Sequence, residues 1–244
     1  MDIKEKNILV TGGAVRLGRA ITIKMAELGA RVFCHFNKSQ KEAYSLKEEC
    51  DRKGLTIELV QSDLTQKESS DILIQKVIDR AGTIDVLINN AALFFETPFG
   101  TIKESEWDLL FNLNLKVPFF CSQKAGQIMY QQGQGKIINI GDIGGEKIWP
   151  DFIPYTLTKN GLIAMTKGLA KALAPKVLVN CINLGPIMFP VSYNKEKKQK
   201  SINATLLKRQ GNTIDLTETV RFLIIDSDYI TGSVINLDGG RSIL

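Results

Sequence analysis

A tyrosine and a lysine stand four residues apart in Tyr155-Thr156-Leu157-Thr158-Lys159, at the start of an apolar, helix-length stretch. An i, i+4 pair projects from one helical face. The ammonium of Lys159 then lies where its field lowers the phenol pKa and makes Tyr155 a proton donor near neutral pH. A second constellation sits near the N-terminus, in Thr11-Gly12-Gly13-Ala14-Val15-Arg16-Leu17-Gly18. Gly12 permits a tight turn out of a strand, and Gly18 lets a following helix approach the sheet closely. The free N–H groups and positive end of that helix face an anion, normally a pyrophosphate.

The end of the second strand selects the cofactor. NAD sites place an acidic residue there to hold the ribose 2′-OH. The chain instead reads Cys34-His35-Phe36-Asn37-Lys38-Ser39, without a carboxylate. Lys38 and Ser39 suit a 2′-phosphate and Arg16 can add a second positive charge, so the expected cofactor is NADPH. His35 reads as a packed or solvated strand-end residue. Asp63, in Gln61-Ser62-Asp63-Leu64, either accepts from the adenine amino group or caps the next helix. Asn89-Asn90-Ala91-Ala92 closes the fourth strand with small residues, leaving room for a cofactor against the backbone.

These groups need a scaffold, and the chain alternates β-branched runs with amphipathic segments throughout. Strands are expected at Asn7–Thr11, Arg31–Phe36, Thr56–Gln61, Val86–Asn89, Lys136–Ile140, Val177–Ile182 and Ser233–Leu237. Helices are expected near Gly18–Leu28, Gln40–Lys53, Lys67–Arg80, Glu104–Gln131, Tyr155–Ala174 and Asp215–Ile225. Near-continuous apolar strands are those of a parallel sheet covered on both faces. The fold class is therefore α/β, a doubly wound Rossmann-type sheet in one domain, with a cofactor half over 1–140 and a catalytic and substrate half over 141–244. Tyr155 and Lys159 follow the fifth strand and so face the crevice where such sheets bind ligands. Pro190–Lys200, with its YNKEKKQK run, breaks the pattern and reads as a solvated loop or a substrate lid.

Composition excludes several classes. Hydrophobic residues at 44% and charged residues at 23% are globular values. A net charge of +5 comes without a basic block, which argues against nucleic acid. Cys34, Cys50, Cys121 and Cys181 are scattered and His35 is the only histidine, which argues against zinc. The cysteines, the absence of a secretory h-region and the lack of a membrane-length apolar run suggest a reduced, cytoplasmic protein.

The glycine loop, Asn89-Asn90-Ala91, the YxxxK pair and the closing Tyr229-Ile230-Thr231-Gly232…Asp238-Gly239-Gly240 together resemble the short-chain dehydrogenase/reductase family over essentially the whole chain. The resemblance implies a seven-stranded sheet, hydride transfer from nicotinamide and a homotetramer, with the helices around Glu104–Gln131 and Tyr155–Ala174 at one interface. It adds Leu17, Leu64 and Gly185 to the cofactor set. It also implies that Asn114 anchors a proton-relay water beside Lys159.

Departures from the family pattern narrow the reading. Asp142, in Ile140-Gly141-Asp142-Ile143-Gly144-Gly145, occupies the place of the family serine. Arg16 replaces a glycine of the phosphate loop, and Phe94 follows the NNA motif. All three resemble the pteridine reductase branch, where the arginine reaches the substrate and the phenylalanine stacks on the pterin. Ala92 stands where that branch carries a serine, and Leu184 replaces the proline of the usual PG turn. A carboxyl suits a C=N bond, which needs a proton delivered to nitrogen. Asp142 also reads as a turn residue, and Phe94 as a core or lid aromatic. The expected activity is NADPH-dependent reduction of a pterin or folate to the tetrahydro form. Alternatives are a carbonyl or 3-oxoacyl thioester reductase and, from another class, a non-catalytic NADPH-sensing protein.

Overall fold

Seven strands form one parallel sheet in the computed structural model, which describes residues 1–244. They are β1 (Asn7–Val10), β2 (Arg31–Phe36), β3 (Ile57–Gln61), β4 (Val86–Asn89), β5 (Gly135–Asp142), β6 (Val177–Leu184) and β7 (Val234–Leu237). Their spatial order is β3-β2-β1-β4-β5-β6-β7. The order reverses between β1 and β4, where doubly wound sheets open a crevice at the carboxyl ends. The expected Rossmann-type fold is therefore observed.

Alternate residues of a strand face opposite sides of the sheet. Ile8 and Val10 enter one core with Ile21 and Met25 of α1 (Arg16–Glu27), Leu46 of α2 (Gln40–Arg52) and Val220 of α8 (Thr213–Ile225). Leu9 enters the other with Leu73 of α3 (Ser69–Ala81), Met129 of α5 (Val117–Gln132) and Ala170 of α6 (Ile153–Leu173). The central strands β1, β4, β5 and β6 are buried from both sides, which is why their sequences carry little polar alternation. All four cysteines are buried and free. No helix is long and apolar enough to cross a membrane.

Three departures from the sequence expectations bear on the site. The helix expected over Glu104–Gln131 is broken into α4 (Glu104–Phe111), a π turn (Asn112–Lys116) and α5. Pro118 lacks an N–H and cannot donate the α-helical bond to the Asn114 carbonyl four residues before it. β5 and β6 run on to Asp142 and Leu184, which pair in register and carry Asp142 to the rim of the crevice. The segment Pro190–Lys200 is not a continuous loop, since α7 (Lys195–Asn203) begins within it. Asn194 caps α7 by accepting from the Lys197 N–H at 2.8 Å. No residue of α7 is buried, so its sequence has no apolar stripe to reveal a helix.

Candidate active site

The carboxyl ends of the central strands open into one cavity of about 1040 Å³. Its floor is the glycine loop. Gly12 has φ +63°, and a Cβ on Gly18 would lie 2.0 Å from the Gly12 carbonyl oxygen. That distance is impossible for any side chain, so the close approach inferred from the motif is real. His35 braces the loop: the Gly12 N–H donates to its Nδ1 at 3.1 Å, and its Nε2 donates to the Ser62 carbonyl at 3.0 Å. Burial pushes the imidazole down to about 4, so this neutral tautomer is the resident form. Of the two readings of His35, packing holds.

Arg16 adopts φ +52°, a left-handed conformation natural to the glycine it replaces. Its Nη2 donates to the carbonyls of Met188 and Phe189, at 3.1 and 3.0 Å, beyond β6. The first turn of α1 has no side-chain cap, leaving its N–H groups available to an anion. Asn90 Nδ2 donates to the carbonyls of Thr11 and Gly12, and the Ala91 N–H donates to Thr11 Oγ1, tying the ends of β1 and β4 together.

Asn37, Lys38 and Ser39 line the cavity at the end of β2, and Leu17, Leu64 and Gly185 reach it as well. Asp63 does not. Its carboxylate accepts from the Thr65 N–H and hydroxyl and from Asn37 Nδ2, and the Thr65 backbone bond holds its pKa low. Nor does it cap α3, which starts at Ser69 behind Glu68. The capping reading of Asp63 is corrected: it closes its own turn, because Thr65 offers two donors nearer than the next helix does.

Asp142, Tyr155 and Lys159 meet on the other side of the cavity. Tyr155 and Lys159 are each only 4% exposed, and Asp142 is partly open to the cavity. Enclosure raises the Asp142 carboxyl above its usual range, and the Gly144 N–H and the Lys159 charge offset this only in part. The expectation that Lys159 lowers the Tyr155 phenol is not met. Burial, with Asp142 adding to it, holds the phenol well above 10. Lys159 Nζ instead donates to the Ile140 carbonyl at 3.0 Å and lies 5.8 Å from the tyrosine ring centre. Burial lowers the lysine itself, and Asp142 pulls it partly back up.

Asn114 lies outside the cavity, in the π turn. Its Oδ1 accepts from the Leu93 N–H at 2.8 Å and its Nδ2 donates to the Leu93 carbonyl at 2.9 Å. The pair clamps the loop that carries Phe94. One face of Phe94 is taken by Phe152, with ring centres 4.6 Å apart and planes 9° apart, while Tyr155 meets it edge-on at 4.8 Å. A flat ligand therefore has only the remaining face. Trp149, Phe152, Tyr193 and Arg241 also line the cavity and were not anticipated. The aromatic run Trp149-Pro150-Asp151-Phe152, just before Tyr155, was the one available signal.

A family model described as short chain dehydrogenase matches residues 6–200. The chain belongs to that family. Among curated relatives, this short-chain dehydrogenase is 34% identical over 239 residues to the 3-oxoacyl-[acyl-carrier-protein] reductase FabG of Staphylococcus aureus, covering 96% of this chain and 97% of that protein. The FabG of Thermotoga maritima is 32% identical over 98% and 99% of the two chains. Among solved structures, FolM alternative dihydrofolate reductase 1 from Brucella canis, complexed with NADP, superposes with TM-score 0.93 at 32% identity, covering 100% and 96%. A blue fluorescent protein from a metagenomic library, in complex with NADPH, gives TM-score 0.91 at 28% identity over 99% of each chain.

Proposed function

We propose that this short-chain dehydrogenase is an NADPH-dependent reductase of a pterin-type substrate, with Tyr155, Asp142 and Lys159 as its chemical groups. The observation that carries the reading is Asp142 itself. A carboxyl enclosed beside a buried phenol at the carboxyl end of β5, and raised by that enclosure, retains a proton to higher pH than a free one. The likeness to FolM structures with NADP supports the same reading.

The cavity suits the dinucleotide. The glycine loop and the uncapped start of α1 would hold its pyrophosphate, Lys38 and Ser39 its 2′-phosphate, and Lys159 its nicotinamide ribose. When bound, the nicotinamide supplies a hydride. Reduction of a C=N bond also requires a proton at nitrogen, and Asp142 is the group suited to deliver it, with Tyr155 as its neighbour and proton reserve. Phe94, stiffened from behind by Phe152, would offer its free face to the flat heterocycle. Asn114 would act through the Leu93 loop, with its relay-water role carried over from the family.

The test is NADPH oxidation against dihydrofolate, dihydrobiopterin and dihydromonapterin, with an acetoacetyl thioester as comparison. Turnover of a dihydropterin above the thioester is expected. The reverse order would return the chain to the 3-oxoacyl thioester reading, which its 34% identity to FabG favours. NADPH binding without turnover of either would leave a sensing protein. We also propose a homotetramer, since Trp107, Phe119, Phe120 and Leu157 are exposed on α4, α5 and α6. Light scattering at micromolar concentration checks it, and a stable monomer would refute it.

A further inference from the structure

The outer wall of the cavity is built by α7 and the C-terminal segment, and three cations reach it: Lys197, Lys200 and Arg241. Lys197 is already satisfied, with Nζ 2.7 Å from Glu96 Oε1 and Asp151 also acting on it. Neither Lys200 nor Arg241 is paired with a carboxylate. Arg241 is nevertheless held in place. Its guanidinium carbon sits 5.4 Å from the Trp149 ring centre, and Nη1 donates to Ser201 Oγ at 2.8 Å. The turn that carries it is fixed by Asp238, whose carboxylate accepts from the Gly240 and Ser242 N–H groups.

An arginine has five N–H donors in a planar fork that matches carboxylate and phosphate. Here a hydroxyl and an indole face position that fork, and no protein anion occupies it. The second unpaired cation, Lys200, lies on the same wall. Asp142 also faces the cavity, but its carboxyl is engaged with the Gly144 N–H at 2.7 Å.

We propose that Arg241, assisted by Lys200, is the receptor for an anionic substituent on the substrate, so that the protein selects substrates with a carboxylate or phosphate tail over uncharged analogues. This rests on the pterin reading of the site, and among pterin-type substrates the charged tail is the glutamyl carboxylate of a folate. The reacting ring would lie against Asp142 and Phe94 with its substituent directed to the cavity mouth. Arg241 would then determine specificity by binding the substituent, while its charge also acts on Asp142 from the same cavity.

Binding to the NADP-loaded protein, measured by titration calorimetry, tests this with two charged and uncharged pairs. The first is folate against biopterin. The second is acetoacetyl-coenzyme A against acetoacetyl-N-acetylcysteamine, which lacks the phosphates together with the adenosine and most of the pantetheine arm. Arg241→Gln should weaken the charged member by about tenfold, the size of one lost charge-assisted bond, and the uncharged member by less than about twofold. Arg241→Lys keeps the charge and should recover part of the loss, which a purely structural role would not predict. An effect confined to the thioester pair would keep the receptor and sink the pterin reading. Equal weakening of both members, or no weakening in either pair, would overturn the inference.

Discussion

Arg16 Nη2 lies 3.0 Å from the carbonyl oxygen of Phe189, a bond that runs from the glycine loop across the crevice to the segment beyond β6. The residue making it sits at φ +52°, where any side chain is strained. A glycine there would relieve roughly 1 kcal/mol of that strain while releasing the far wall. We expect Arg16→Gly to change the melting temperature by only a few degrees. It should raise KM for both NADPH and substrate several-fold. Scanning calorimetry with steady-state kinetics checks both, and an unchanged pair of KM values would mean that the tie does not shape the cleft.

Asp142 and Tyr155 should fail differently from the residues of the cradle. Replacing Asp142 by Ser is expected to cut dihydropterin turnover by about 10²–10⁴-fold, the usual contribution of one acid/base group. Tyr155→Phe should be similarly harmful. Both variants should bind NADPH like the parent, read by fluorescence titration. If Asp142→Ser stays within a few-fold of the parent, Asp142 is a turn residue only.

The same carboxyl predicts a pH dependence. Asp142 is raised on folding, so it holds its proton up to its raised pKa and loses it as pH climbs through that value. Dihydropterin kcat/KM should therefore fall on the alkaline side of that pKa, and Asp142→Asn should flatten the limb while lowering the plateau. A pH–rate profile of Asp142→Asn with the limb intact would assign it to another group.

His35 makes the opposite statement about stability. Its pKa falls from 6.5 to about 4 on folding. The unfolded chain therefore binds the proton more readily, so stability rises with pH across this window. The contribution is complete above 6.5 and disappears as pH falls to about 4, with a magnitude of roughly 3 kcal/mol. Melting temperature should drop between pH 7 and 4, and His35→Gln should reduce that slope. An identical slope in the variant would place the acid sensitivity elsewhere.

Cofactor choice is the simplest test. Lys38 lines the cavity at the end of β2 with no carboxylate beside it at that strand end. The protein should prefer NADPH to NADH, and Lys38→Asp should erode the preference. Equal kcat/KM for the two cofactors in the parent would refute the assignment.

Periodicity and motif spacing made much of this legible. The alternation of strands and helices, the cradle at Gly12 and Gly18, and the pairing of Tyr155 with Lys159 on one helix follow from local patterns that tertiary packing preserves, whereas Asp142 was legible beside them only through the family resemblance. What escaped depends on partners distant in sequence. No spacing rule says that Lys159 donates a hydrogen bond to the Ile140 carbonyl, or that Phe152 covers one face of Phe94. The clamp made by Asn114 was hidden because its partner, Leu93, lies 21 residues away. The helix at Lys195 was hidden because it is polar on every side.

That polar helix has a consequence for how such a protein changes over time. α7 contributes no buried side chain, and it is held by an Asn194 cap, the Lys197–Glu96 surface ion pair and the bond from Arg241 to Ser201. Its residues can be rewritten with little loss of global stability, because surface substitutions away from caps and cores are nearly neutral. Yet Lys197, Lys200 and Ser201 form part of the wall a substrate must pass. Substrate range is thereby uncoupled from foldability: the groups proposed to handle the proton stay locked in β5 and α6, while the mouth of the cavity is free to drift. Diversification on this scaffold should begin at α7.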